Sequence, residues 1–191
     1  MLDLAQALRI QAHANALANL RLHAAMSMLS RDELHARRTS FFPSLMATLN
    51  HILVVDRYYI AALHGEADAR TAQKRFRPLA DLAPLVAAQR ASDLRLRAFC
   101  DALNAAGCNH VVSLPRAGGR MQRDRAAHVL SHLFMHQTHH RGQVHSMLSG
   151  TSIKPPQLDE FLMPSEAHLR EAEMLAFGWE ERSVFGSLPK N

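Results

Sequence analysis

The chain has 191 residues, 48% hydrophobic and 20% charged, with a formal net charge of +5. That length bounds it to one domain able to bury a core without staples, and 8 Gly and 8 Pro exclude a low-complexity or collagen-like chain. The basic residues are scattered from Arg9 to Arg182, with no run of cations that reads as a nucleic-acid arm.

Taken in order, Asp3 to Leu29 reads as a long amphipathic helix. Leu4, Leu8, Ala12, Leu17, Leu20, Ala24 and Leu29 fall along one side of it. Asn15 and Asn19 are a polar pair four residues apart, expected to be solvated or bonded to the backbone. Asp3, Gln6 and Arg9 interrupt any signal-like apolar run, and no segment approaches the length of a membrane span. The expected location is therefore the cytoplasm, away from membranes. Arg31 to Thr39 is a loop with one short turn.

A second helix is expected from Pro43 or Ser44 to His64, stopped by Gly65. Leu45, Leu49, Ile52, Tyr59, Ile60 and Leu63 form its main stripe. Asp56 falls inside that stripe and needs a partner. His51, Val55, Tyr58 and Ala62 form a second face, so this helix touches several neighbours or carries a dimer contact. Glu66 to Leu79 reads as a long polar connection. Asp81 is the expected cap of a third helix, Leu82 to Ala106, with Leu85, Ala88, Leu94, Leu96, Phe99 and Leu103 on its apolar side. Cys100 and Cys108 make no disulfide framework and read as small core residues in a reducing compartment.

Asn109 to Arg120 changes character. Its valines, Pro115, Gly118 and Gly119 predict an extended, hairpin-like crossover. A fourth helix is expected from Gln122 to Ser149. Beyond it, Lys154 to Gln157 is extended, Leu158, Phe161 and Leu162 pack back on the body, and Ser165 to Phe177 is a last short helix. Trp179 and Phe185 read as packing anchors. The expected fold is all-α: an up-down four-helix bundle with a short extended crossover between helices 3 and 4 and a short C-terminal helix. It is expected as one domain over 1–191, with 151–191 an extension packed on it.

The chemistry concentrates in the fourth helix. Six of the 13 histidines lie between His128 and His145. On a helical wheel, Val129, Leu133, Val144 and Met147 define an apolar stripe, and His136 and His140 fall near its centre one turn apart. Buried imidazoles without partners are costly, and a metal would satisfy both nitrogens. His132 and His139 flank the pair with Gln143, while His128 and His145 read as surface residues. A third ligand is needed. His51 has the most apolar flanks, and His13, His23 and His64 are alternatives by type.

His136-Gln137-Thr138-His139-His140 lacks the glutamate of a zincin, and the Glu-x-x-His pairs of di-iron bundles are absent. Three histidines without a thiolate would leave positions open for water or substrate. Imidazole suits zinc, nickel, copper and iron alike.

These segments resemble the DinB/YfiT-like superfamily of metal-binding four-helix bundles. The resemblance rests on Asn15 and Asn19, on Leu49 to Arg57, on His136 to Gln143 and on Pro155 to Asp159. It implies a divalent metal (zinc, nickel or iron) held by His51, His136 and His140. It also implies a homodimer, damage-inducible expression and, in characterised relatives, transfer or isomerisation with a low-molecular-weight thiol such as glutathione. The expected function is a metal-dependent enzyme that activates a thiol or water against a small electrophile, S-transfer being favoured over hydrolysis. The alternative is a non-catalytic metal-binding stress-response protein. His139 and Gln143 are the candidate catalytic neighbours, as supports of the ligands or a proton relay. Arg141 is expected to pair with Asp56, and Asn15 to bond a ligand histidine or its water.

Overall fold

The computed structural model describes residues 3–159 and 163–186. The chain is mostly helical, with one small two-stranded sheet. Helix α1 (Leu4–Met26) starts where the Asp3 side chain accepts a hydrogen bond from the Gln6 N–H. Helix α2 (Arg31–His35) is opened by a reciprocal Ser30–Glu33 capping box, in place of the expected turn. Helix α3 (Leu45–Leu63) is capped by Ser44. It ends in a Schellman motif: Gly65 takes φ +73°, its N–H reaches the Ala62 carbonyl, and the Glu66 N–H reaches that of Ala61.

Three boundaries differ from expectation. The polar connection after Gly65 contains a helix, α4 (Ala69–Arg75). The third long helix stops at Asp101 as α5 (Leu82–Asp101), and Asn104 then caps a separate α6 (Ala105–Asn109) through the Gly107 N–H. An asparagine that caps locally outcompetes continuation of the helix. The hairpin β1 (Val111–Pro115) and β2 (Met121–Arg125) extends to Arg125, so the fourth long helix, α7 (Ala126–Leu148), starts later than Gln122. Strand pairing runs from Val111 with Arg125 to Pro115 with Met121.

The C-terminal region is a 3₁₀ turn (Pro164–Leu169), α8 (Glu171–Phe177) and an unexpected α9 (Glu181–Phe185). Met174, Val184 and Phe185 pack on Ile10, Leu17 and Ala18 of α1. Trp179 stacks on Phe177 and lies under the Arg97 guanidinium, so both late aromatics are packing anchors. Leu158 packs as expected, whereas Phe161 and Leu162 lie outside the described residues.

Among the long helices, α1 packs on α5 and α7, and α3 packs on the same two. The core is interrupted halfway along them. One apolar cluster holds Leu8, Ile60, Leu96 and Leu133; another holds Leu22, Met26, Leu53, Leu85 and Val144. Between them lies a belt of buried polar side chains: Asn15 and Asn19 from α1, Asp56 from α3, Gln89 and Asp93 from α5, and Gln137 and Arg141 from α7. These residues occupy core-facing positions, which corrects two of the apolar stripes. Leu4 of the α1 stripe and Leu94 of the α5 stripe are exposed. No helix among the described residues is long and apolar enough to cross a membrane.

Candidate metal centre

Helices α3 and α7 bring three histidines together. His136 and His140, one turn apart on α7, have ring centroids 4.4 Å apart. His51 faces them from α3, its centroid 5.0 Å from His136 and 4.5 Å from His140. One nitrogen from each ring lies within 4.8 Å of the others, and the Nε2 atoms of His51 and His136 are 3.0 Å apart. Two nitrogens bound to one ion at about 2.0–2.1 Å, at angles of about 90–110°, stand about 2.9–3.4 Å apart. The His51–His136 spacing falls in that range, and the cluster could hold a metal ion. It is the only such group of three among the described residues.

The protonation states suit that use. Burial pushes His51 down to about 4, helped by the neighbouring charge of His140. Burial pushes His136 down to about 3, with His140, His51, His132 and His139 adding to it. His140 is lowered by burial too, against a hydrogen bond to Gln143 that raises it. At neutral pH all three rings are uncharged, each with a lone pair to offer.

Gln143 sets which nitrogen His140 offers. Its Oε1 lies 2.8 Å from His140 Nδ1, and its Nε2 lies 3.2 Å from His139 Nε2. An amide oxygen only accepts, so His140 carries its proton on Nδ1 and leaves Nε2 free. The amide then donates to His139, completing a chain His140–Gln143–His139. His139 is exposed, its ring centroid 4.8 Å from that of His140. The two residues expected as neighbours of the ligands thus stand in one hydrogen-bonded chain with His140.

The other expectations divide. His13 bonds Asp101, His64 reaches the Arg95 carbonyl and His23 faces a separate groove between α1 and α5, so none of these alternatives joins the cluster. His128 is exposed as expected. His145 is half-buried, not exposed, because its Nε2 bonds the Pro156 carbonyl and ties down the chain after α7.

Arg141 does not pair with Asp56. Its guanidinium crosses to α1 and donates to Asn15 and Asn19, whose amides donate to Asp93. Asp56 instead accepts from Gln89 at 2.7 Å, and the same amide reaches Asp93 at 3.1 Å. Asn15 therefore serves this belt and not a histidine. The asparagines are neither solvated nor back-bonded, since both are buried against a carboxylate.

Several residues around the cluster carry no signal in the histidine pattern. Phe42, just ahead of α3, packs its ring 4.3 Å from that of His51 and 5.6 Å from that of His140. A cavity of about 490 Å³ opens over the three histidines, with Tyr58, Tyr59, Arg70, Arg116, Arg120 and His132 in its walls. His132 meets the Tyr59 ring edge-on at 5.2 Å. The groove between α1 and α5 is larger, about 1080 Å³, but contains no such set of ligating side chains. The three-histidine cluster lies at the smaller cavity.

A mostly helical chain with a His51–His136–His140 cluster between two long helices defines a class, the helical proteins whose imidazoles alone could hold a metal. The family comparison places it further: the DinB family model matches residues 8–174, and the chain belongs to the DinB family. No curated protein matches it.

Proposed function

We propose that this protein is a metal-dependent enzyme built on a four-helix bundle, one domain over 1–191, acting on a small molecule as a homodimer. His51, His136 and His140 are the ligands of one divalent ion, zinc, nickel or iron. The ion supplies Lewis acidity, lowering the pKa of a thiol or water placed beside it. The convergence of three uncharged rings from α3 and α7 carries this reading.

The chain's own residues do the rest. Gln143 orients His140 and passes its polar contact on to His139, which stands at the solvent edge as a proton acceptor. Phe42 covers one side of His51 and limits water there. The 490 Å³ cavity admits a small substrate, not a polymer. Membership of the DinB family favours transfer of a low-molecular-weight thiol such as glutathione to an electrophile over hydrolysis.

Metal analysis of the purified protein tests the site. About one divalent ion per chain is expected in the wild type and its loss in His136→Ala and His140→Ala. Full metal content in either variant would refute the ligand set. A panel of electrophiles offered with glutathione and other thiols then tests catalysis. Metal present with no turnover of any pair would leave a binding protein, not an enzyme.

A further inference from the structure

Some of the arginines face acids across the surface. Arg9 faces Asp101, Arg21 faces Glu173, Arg31 faces Asp81 and Arg95 faces Glu66. The cavity over the histidines has a different lining. Its walls carry Arg70, Arg116 and Arg120 and not one aspartate or glutamate. None of the three forms an ion pair among the described residues. Arg70 donates to Gln73, and Arg116 donates to Gln122 Oε1 at 2.9 Å and to the Tyr59 hydroxyl at 3.3 Å. Asp124, on β2, acts on Arg116 from outside the cavity and is itself held by Gln122.

Side-chain contacts hold Arg70 and Arg116, while the Arg120 side chain is exposed. Arg116 and Arg120 stand at the two ends of the hairpin tip, which closes through the Arg116 N–H to the Arg120 carbonyl at 2.8 Å. The Arg116 guanidinium lies 5.6 Å from the ring centroids of both Tyr58 and Tyr59. Tyr58 is fixed in turn by its hydroxyl, which donates to the Pro115 carbonyl at 2.8 Å. Arg70 enters from α4 on the other side, half-buried like Arg116. Three guanidinium groups that form no ion pair among the described residues line one cavity with His51, His136 and His140, which makes it a receptor for negative charge.

We propose that this mouth is an oxyanion subsite: Arg70, Arg116 and Arg120 take the carboxylate or phosphate of a small substrate and hold the remainder over the histidines. The inference rests on the reading of that cavity as the reaction site. Guanidinium groups bind planar oxyanions through paired N–H donors, so the subsite adds orientation as well as charge.

Calorimetric titration of the metal-loaded protein tests it, with succinate, inorganic phosphate and neutral succinamide as probes. Succinate or phosphate is expected to bind the wild type, and Arg70→Gln combined with Arg120→Gln to weaken that binding at least about ten-fold. Arg182→Gln, which removes one charge outside the cavity, leaves binding unchanged. The tighter of the two anions assigns the group. The idea is overturned if neither anion binds, if succinamide binds as well as succinate, or if the double variant binds like the wild type. It is also overturned if His140→Ala abolishes binding while the arginine variants do not, since the anion would then be a metal ligand. Metal content measured on the same samples separates the two readings. Protein without metal whose anion binding still follows the arginines defeats the metal enzyme and leaves the subsite standing.

Discussion

Gln143 is the side chain through which the site's geometry is most open to a single change. Its amide oxygen fixes the His140 tautomer at 2.8 Å, and its amide nitrogen reaches His139. Gln143→Leu keeps the bulk and removes both contacts. His140 then loses its preference for Nδ1–H, and metal affinity is expected to fall about 10–100-fold, as when partners of ligating histidines are lost elsewhere. Competition with a chelator of known affinity measures this, and an unchanged affinity would show that Gln143 has no part in holding the ligand. His136 and His140 were legible in the sequence because they sit at helical spacing inside an apolar stripe, where a solvated histidine has no reason to be. His51 was less so: its apolar flanks made it the best candidate for a third ligand, and the family resemblance then favoured it. The three arginines were illegible, because two belong to a hairpin tip and one to a connection whose path no helical period reveals.

At the scale of elements, the long helices were readable because caps and stops agree with the apolar period. Ser44 and Gly65 bound α3 within about a residue of expectation. The failures lie where local hydrogen bonding competes with continuation: Asn104 splits α5 from α6, and the hairpin claims residues up to Arg125 before α7 can start. That hairpin does more than connect. Its tip places Gly118 at φ 70° and Gly119 at φ 75°, where an L side chain is strained. No atom lies within 4 Å of an added Cβ at either glycine, so the cost there is conformational alone. Gly118→Ala with Gly119→Ala should destabilise the tip by about 1–2 kcal/mol per residue. The outcome to look for in a thermal melt is a loss of several degrees, with metal content intact because the histidines belong to α3 and α7. A melt equal to that of the wild type would mean that the turn is not held in this conformation.

Across the whole molecule, the polar belt joins all four long helices at mid-height and sits beside the histidine cluster, since Gln137 and Arg141 immediately follow His136 and His140. Apart from Asp56 it was hidden in the sequence, because amides in core positions read as surface residues, which shifted the apolar stripes of α1 and α5 outward. The belt buries two carboxylates with the guanidinium of Arg141, and Arg97 adds its charge beside Asp93. Burial pushes Asp56 up to about 7, reinforced by the charge of Asp93 and opposed by Gln89, Gln137 and Arg141. Asp93 is pushed up to about 6 by burial, opposed by its bonds to Asn19 and Gln89 and by Arg141. A raised carboxyl means that the folded state holds a proton which the unfolded chain releases near its ordinary value of 3.8. Asp56 therefore stabilises the fold fully below that value, and its contribution is lost as pH rises toward 7. His23, lowered to about 4 mainly by burial, acts in the opposite sense, weakening the fold as pH falls from 6.5. Asp56→Asn removes only the first effect and leaves the second in place. The melting temperature of the variant minus that of the wild type should thus climb steadily between pH 4 and pH 7 and level off above it. A difference that stays constant across that window would mean that Asp56 is ionised throughout and that the belt accommodates its charge.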